Sequence, residues 1–398
     1  MVIPPDSAVK TIDTLLHDAL LRQASDVHFE SWENHFRIRF RIDGLLRVIP
    51  APPFHLRDAI ISRLKVLARM DIAEKRIPQD GRIQYPYQDQ LIDLRVSSLP
   101  TLYGEKLVVR ILNVNSHQPD MATLGYEPDD RDKLHQAIRR PHGLILMTGP
   151  TGCGKTLSLY SCLEQLNRSD TNICTVEDPS EIHLTGANQV NINDRAGLSF
   201  ATTLRAFLRQ DPDVIMVGEI RDLETAEIAI QAAQTGHLVL STLHTNDAPS
   251  TLARLRHMGI AAFNVAASVH LVTAQRLVRR LCPHCKQPLH TEQAHEFFNT
   301  LPPQTRQALL DPTTLNHTLF RAMGCDACDQ GYKGRIGVYQ VMPISDAMQQ
   351  LIIRDSDAQT LATQAAQEGI RTLRQAGWLK VLQGITTIEE VLALTPHA

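Results

Sequence analysis

One eight-residue stretch limits what this chain can fold into more than any other feature. Gly149-Pro150-Thr151-Gly152-Cys153-Gly154-Lys155-Thr156 follows the apolar run Leu144 to Thr148 and precedes a helical pattern from Leu157 to Leu166. It fits G-x-x-x-x-G-K-[ST] at every fixed position. Glycines there let the backbone wrap a phosphate chain with its N–H groups turned inward, and the following helix N-terminus adds positive potential. Lys155 would reach the β- and γ-phosphates, and Thr156 would hold Mg2+. Ile173 to Val176, Val214 to Val217 and Leu238 to Ser241 are further apolar runs alternating with helical patterns. That alternation is the signature of a parallel sheet and an α/β fold. The competing reading, a chance glycine-rich turn, does not account for the strand and helix on either side.

In open parallel sheets, ligands bind at the carboxyl ends of the strands. Two predicted strands end in acids: Glu177-Asp178-Pro179, and Glu219 after Gly218. Hydrolysis of a phosphoanhydride needs a carboxylate to orient water and a further acidic group for the metal. Glu177 and Glu219 are therefore both expected to face the loop, with Glu219 and Thr156 at the Mg2+. Gly218 is expected to allow close approach of backbone to ligand. A lone acid after a strand is more simply a helix cap, and the presence of two downstream of the loop argues otherwise. His244 lies just past a third strand end, either as a γ-phosphate sensor or as an ordinary surface histidine. Arg205 and Arg209 stand at i and i+4 on a predicted helix capped by Ser199 and share a face. They read either as surface charges balancing Asp211, Asp213 and Glu219 or as groups that stabilise transition-state charge.

The first hundred residues follow a different pattern. Ser7 can cap a helix with Val9, Ile12, Leu16, Ala19 and Leu20 on one face. Phe36, Ile38, Phe40 and Ile42 then alternate with arginines, and Asp43-Gly44 signals a hairpin returning through Leu45 to Ile49. A helix near Leu56 to Met70 and strands over Ile92 to Ser97 and Lys106 to Leu112 complete a small α+β domain, 1–112. The polar segment 113–120 reads as a linker to the second domain, 121–398.

Net charge is −3 over 398 residues, with pI near 6.6, so no overall basic field favours nucleic acid or an anionic membrane. The basic run Arg276 to Arg280 reads as a solvated helix face. The N-terminus shows no signal-peptide pattern. Met258 to Val272, the most apolar stretch, is broken by Asn264, Ser268 and His270. It falls short of the ~20 residues a spanning helix needs and reads as an amphipathic core helix. A cytoplasmic protein is expected, with membrane contact only through a partner. Four of the seven cysteines form two C-x-x-C pairs, Cys282/Cys285 and Cys325/Cys328. Four thiolates at this spacing suit a closed, structural Zn2+ site stapling 281–334. Free buried cysteines and a redox pair are the rivals, and His284 is an alternative donor. Helix-terminal potential is expected to lower the Cys153 thiol pKa.

Seven stretches run in one order along nearly the whole chain: Ala24 to Glu30, Arg41 to Gly44, Pro78 to Arg82, the phosphate loop, Val176 to Pro179, Leu208 to Asp222 and Thr235 to Asn246. Together they resemble the secretion ATPase superfamily, in particular the type II secretion and type IV pilus assembly ATPases. The resemblance implies a small PAS-like N-terminal domain and a RecA-like P-loop ATPase domain with an inserted tetracysteine subdomain, followed by C-terminal helices 344–398. It implies a homo-hexamer using ATP, Mg2+ and structural Zn2+. Such a motor inserts pilin-like subunits through an inner-membrane platform protein. Glu177 falls in the family's aspartate box, Glu219 at its Walker B position, and His237 and His244 in its histidine box. Arg82 and Arg95 match small-domain arginines that approach the nucleotide. Retraction ATPases of the family lack the four cysteines, which favours an assembly motor. Ser180 stands where relatives often have an aliphatic residue. Family members usually carry a further N-terminal domain that this sequence does not contain, so either the chain is shortened or it docks on its partner differently. The competing classes are a nucleotide-responsive scaffold with little turnover and a nucleic-acid translocase, the latter disfavoured by the acidic balance.

Overall fold

The computed structural model describes residues 7–88, 90–112, 120–289, 297 and 318–395. The chain divides into two compact units, Met1–Ser116 and His117–Ala398. The predicted linker lies outside the described residues, apart from Asp120, whose side chain caps helix α3 (Met121–Leu124). Most of the interior of the predicted 281–334 module also lies outside them.

The first unit contains α1 (Ala8–Leu21), β1 (Asp26–Ser31), β2 (Phe36–Ile42), β3 (Leu45–Ile49), α2 (Arg57–Leu67), β4 (Gln79–Tyr87), β5 (Gln90–Thr101) and β6 (Gly104–Ile111). Its strands form one antiparallel sheet in the order β3-β2-β1-β6-β5-β4. Alternation in β2 works as read: Phe36, Ile38 and Phe40 enter the core with Ile12, Leu15, Leu16 and Ala19 of α1. Val9 does not join them and is 45% exposed. Asp43 and Gly44 both take positive φ, +48° and +88°, as a primed two-residue turn requires. On the opposite face Arg37 and Arg39 hold Glu30, and Arg41 and Arg110 hold Asp26. Strands β1 and β4 are not legible from alternation. Every residue of β1 is buried, and β4 is an edge strand broken by Gly81 and Pro86.

The second unit begins with α3, α4 (Pro128–Ile138), β7 (Gly143–Thr148), α5 (Lys155–Leu166), β8 (Ile173–Glu177), β9 (Asn188–Asn191) and α6 (Phe200–Phe207). It continues with β10 (Val214–Val217), α7 (Leu223–Gln234), β11 (Leu238–Leu243), α8 (Ala248–His257), α9 (Ala262–Ser268) and β12 (Val269–Leu281). A short pair follows, β13 (Gln287–Pro288) and β14 (Phe320–Arg321), then β15 (Tyr332–Pro343). Helices α10 (Asp346–Ile353), α11 (Ala358–Gln367), α12 (Leu373–Leu382) and α13 (Ile388–Leu394) close the chain. The sheet order is β15-β12-β7-β11-β10-β8-β9, parallel except for β15 against β12. Strand β7 is buried at every position because both sheet faces are covered. Leu144 and Leu146 enter one core, and Ile145 and Met147 the other.

The stretch Met258 to Val272 is not one helix. It contains α9 and the start of β12, a long strand that pairs with β7 on one side and β15 on the other. Apolar runs buried on both faces carry no period, so helix and strand look alike in them. The run Arg276 to Arg280 therefore lies on a strand. Arg276 is only 7% exposed, and Arg279 pairs with Glu390 at 2.6 Å. Among the described residues no helix is long and apolar enough to cross a membrane.

Candidate active site

The loop after β7 turns through three glycines at positive φ: Gly149 at +148°, Gly152 at +78° and Gly154 at +90°. At Gly149 an added Cβ would lie 2.6 Å from both Cys153 Sγ and the Gln275 carbonyl, so only glycine fits. Helix α5 starts at Lys155, and the first N–H groups of a helix have no intrahelical acceptor. They are the donors an anion would use. The Lys155 ammonium donates to the Gly149 carbonyl at 2.8 Å and the Pro150 carbonyl at 3.0 Å. Burial pulls its pKa down, opposed by nearby Cys153 and Glu219.

Two residues of β12 shape this loop: Gln275, which the sequence did not single out, and Arg276, which it placed on a solvated helix face. Beyond Ala274, which pairs with Thr148, the strand runs on past the loop. There the Gln275 amide donates to the Cys153 carbonyl at 2.8 Å. The Arg276 guanidinium donates to the carbonyls of Gln275 and Asn246, both at 2.9 Å. Cys153 itself corrects an expectation. Its thiol is buried, and burial pushes its pKa up, against the smaller opposing pull of Lys155 and Arg276.

Strands β10 and β11 bring two predicted residues together. The Glu219 carboxylate accepts from Arg221 and lies 3.5 Å from His244 Nε2. Arg221 also lies 3.7 Å from Asp178, so it joins the acidic tips of β8 and β10. Burial and the Lys155 charge lower the His244 pKa, and the neighbouring Glu219 opposes them in part. Thr148 fastens the end of β7 to that of β11: its hydroxyl donates to the Leu243 carbonyl at 3.1 Å and accepts from Thr245 N at 3.0 Å.

Glu177 is placed differently from the expectation. It is 5% exposed and turns onto α5, where Tyr160 Oη donates to its Oε1 at 2.8 Å and Thr175 Oγ1 at 2.9 Å. Burial raises its pKa, and the two hydroxyls offset only part of that rise. Gly218 is needed for a neighbour other than a ligand: a Cβ there would stand 3.3 Å from the Val176 carbonyl of β8. His237 is not brought to the loop within one chain. It sits at the start of β11, with Nδ1 3.0 Å from the Ala232 carbonyl, while His244 follows the strand's other end. Arg209 falls beyond α6, which ends at Phe207, and donates to the Arg205 carbonyl. Arg205 pairs with Glu224 at 2.8 Å. In the first unit Arg82 and Arg95 are directly opposite each other on β4 and β5.

The four cysteines converge. Their sulfurs all lie within 4.8 Å of one another, with Cys282–Cys325 at 3.9 Å, Cys285–Cys328 at 3.7 Å and Cys325–Cys328 at 3.7 Å. Tetrahedral Zn2+ with sulfur ligands at ~2.3 Å would set S···S near ~3.8 Å, so the donor set fits that ion. Gly324 N and Cys325 N donate to Cys285 Sγ and Cys328 Sγ, each at 3.3 Å, as suits thiolates. Cys153, Cys162 and Cys174 are buried elsewhere.

The chain is similar to known proteins along nearly its whole length. The chain is 51% identical over 388 residues to the type IV pilus assembly ATPase PilB of Acinetobacter baylyi, covering 97% of this chain and 66% of that protein. It is 46% identical over 396 residues to the type II secretion system ATPase E of Vibrio cholerae, covering 98% and 76%. The chain thus spans about two thirds of the length of the pilus-assembly relative. The Legionella pneumophila ATPase DotB shares the fold, with a TM-score of 0.68 at 20% identity over 96% of this chain and 94% of that one. Residues 5–393 match the type II/IV secretion system protein family as a whole. With a phosphate loop, acidic strand tips and a relative about half identical across nearly its entire length, the chain belongs to the type II/IV secretion system protein family.

Proposed function

We propose that this chain is the ATP-hydrolysing part of a hexameric motor for pilus or pseudopilus assembly, working on pilin-like subunits through an inner-membrane platform protein. One observation carries the reading: Lys155, Glu219 and His244, from three different strand ends, gather around one phosphate-binding loop. Lys155 and the α5 N-terminus would hold the β- and γ-phosphates. Thr156 and Glu219 would hold Mg2+, which supplies Lewis-acid neutralisation of phosphate charge. His244 can donate a hydrogen bond to a terminal phosphate oxygen. Glu177 is the base candidate. Arg205, Arg209 and His237 make their described contacts away from the loop, which suits contributions toward a neighbouring subunit. Arg82 and Arg95 would add positive charge from a PAS-like small domain. The four thiolates would hold a structural Zn2+, which favours assembly over retraction.

Glu219→Gln tests the assignment. It keeps the size and one hydrogen-bond acceptor but removes the charge for the metal. ATP binding should stay within about threefold while phosphate release falls by ~10²-fold or more. Wild-type release by this variant would refute the site.

A further inference from the structure

Glu177 is held by a hydrogen-bond network that reaches it through the Tyr160 and Thr175 hydroxyls. Gln189 lies on β9 beside Thr175 of β8. Its Oε1 accepts from Leu184 N at 2.9 Å, which fixes the orientation of the amide. Its Nε2 then faces three acceptors, Tyr160 Oη at 2.8 Å, Ser180 Oγ at 2.9 Å and the Ile182 carbonyl at 2.9 Å. The Ser180 hydroxyl donates to the Ile182 carbonyl at 3.1 Å. With the Tyr160 oxygen already accepting from Gln189, its single proton goes to Glu177 Oε1 at 2.8 Å. Thr175 donates to that same oxygen, so Oε2 receives neither hydroxyl. Ser180 is thereby part of the arrangement.

We propose that Tyr160, oriented by Gln189 and Ser180, is a positioning residue for Glu177, pinning Oε1 so that Oε2 is the oxygen presented for water activation. This rests on the reading of Glu177 as the base. The groups facing Glu177 are few. Tyr160 comes from α5, and Glu181 on the following loop opposes ionisation. Gln189 of β9 and Gly218 of β10 carry no charge. The adjacent Asp178 is engaged by Arg221. Burial raises the Glu177 pKa, and the Tyr160 and Thr175 hydroxyls with the Gln189 amide pull it back toward the ionised form.

The test is the pH dependence of kcat for Mg-ATP hydrolysis by the full chain. Tyr160→Phe removes one donor to the ionised form, so the Glu177 pKa should rise and the acid limb should move up by about one pH unit. At the foot of that limb the rate should fall about tenfold, while the alkaline plateau and the KM for ATP change little. Gln189→Ala leaves the tyrosine in place but unoriented, so it should shift the limb in the same direction by less. If Tyr160→Phe does not fold, this second variant carries the test. Acid limbs coincident with wild type in the folded variants, alongside an inactive Glu177→Gln, would overturn the positioning role alone. A fully active Glu177→Gln would instead remove the base assignment beneath it.

Discussion

Replacing Lys155 with alanine tests the phosphate loop most directly, and the structure sets the size of the effect. The ammonium is 9% exposed and held by two loop carbonyls at 2.8 and 3.0 Å. A phosphate wrapped by the loop would take the place of those carbonyls. A unit charge pair at about 4 Å and an effective permittivity near 20 is worth ~4 kcal/mol. Giving up two carbonyl bonds costs about 1 kcal/mol each, which leaves ~2 kcal/mol in net favour of phosphate. Lys155→Ala should therefore weaken ATP binding roughly thirtyfold. Turnover should fall further, by ~10²-fold or more, because the lysine also meets charge that grows in the transition state. Lys155→Arg should not rescue either property, since a planar fork cannot replace a compact ammonium between two carbonyls. Titration with a fluorescent ATP analogue and a phosphate-release assay measure the two quantities. Affinity within threefold of wild type, with unchanged release, would refute the account of the loop.

Two further outcomes are expected. Freshly purified protein should contain about one Zn2+ per chain, and Cys328→Ser or a strong chelator should lower both the metal content and the Tm; a metal content far below one in fresh protein would argue against the cluster as a zinc site. In the first unit, burial would raise the Glu30 carboxyl, but Arg39, Arg37 and Lys106 hold it down at about 2, from an ordinary 4.5. A depressed pKa contributes stability that is present above about pH 4.5 and is lost as pH falls toward 2. Glu30→Gln should remove that part of the acid slope in denaturant midpoints measured against pH, and an unchanged slope would contradict the pairing.

The features legible in the sequence are those encoded by contiguous residues. The glycine pattern at 149–156, the Asp43-Gly44 turn and the acidic ends of β8 and β10 each depend on a few neighbouring dihedrals, so residue type alone announces them. The paired cysteines are legible for a related reason, because two-residue knuckles preset two ligands each. What stayed hidden depends on contacts far apart in sequence. Strand β12 is unreadable as a strand because both of its faces are buried. Gln275 and Arg276 matter only because β12 lies beside β7, more than a hundred residues away in sequence.

The sequence by itself determined that a glycine-rich loop would join a buried strand to a helix and that two acidic strand tips would stand at one edge of a sheet. Tertiary structure alone decided where those acids turn. Packing against α5 turned Glu177 to Tyr160, and sheet order set Glu219 beside His244 and left His237 at the far end of β11. The reason is physical: a loop's backbone conformation is a local free-energy choice, while the direction of a buried carboxylate is set by whichever donors the folded core brings to it.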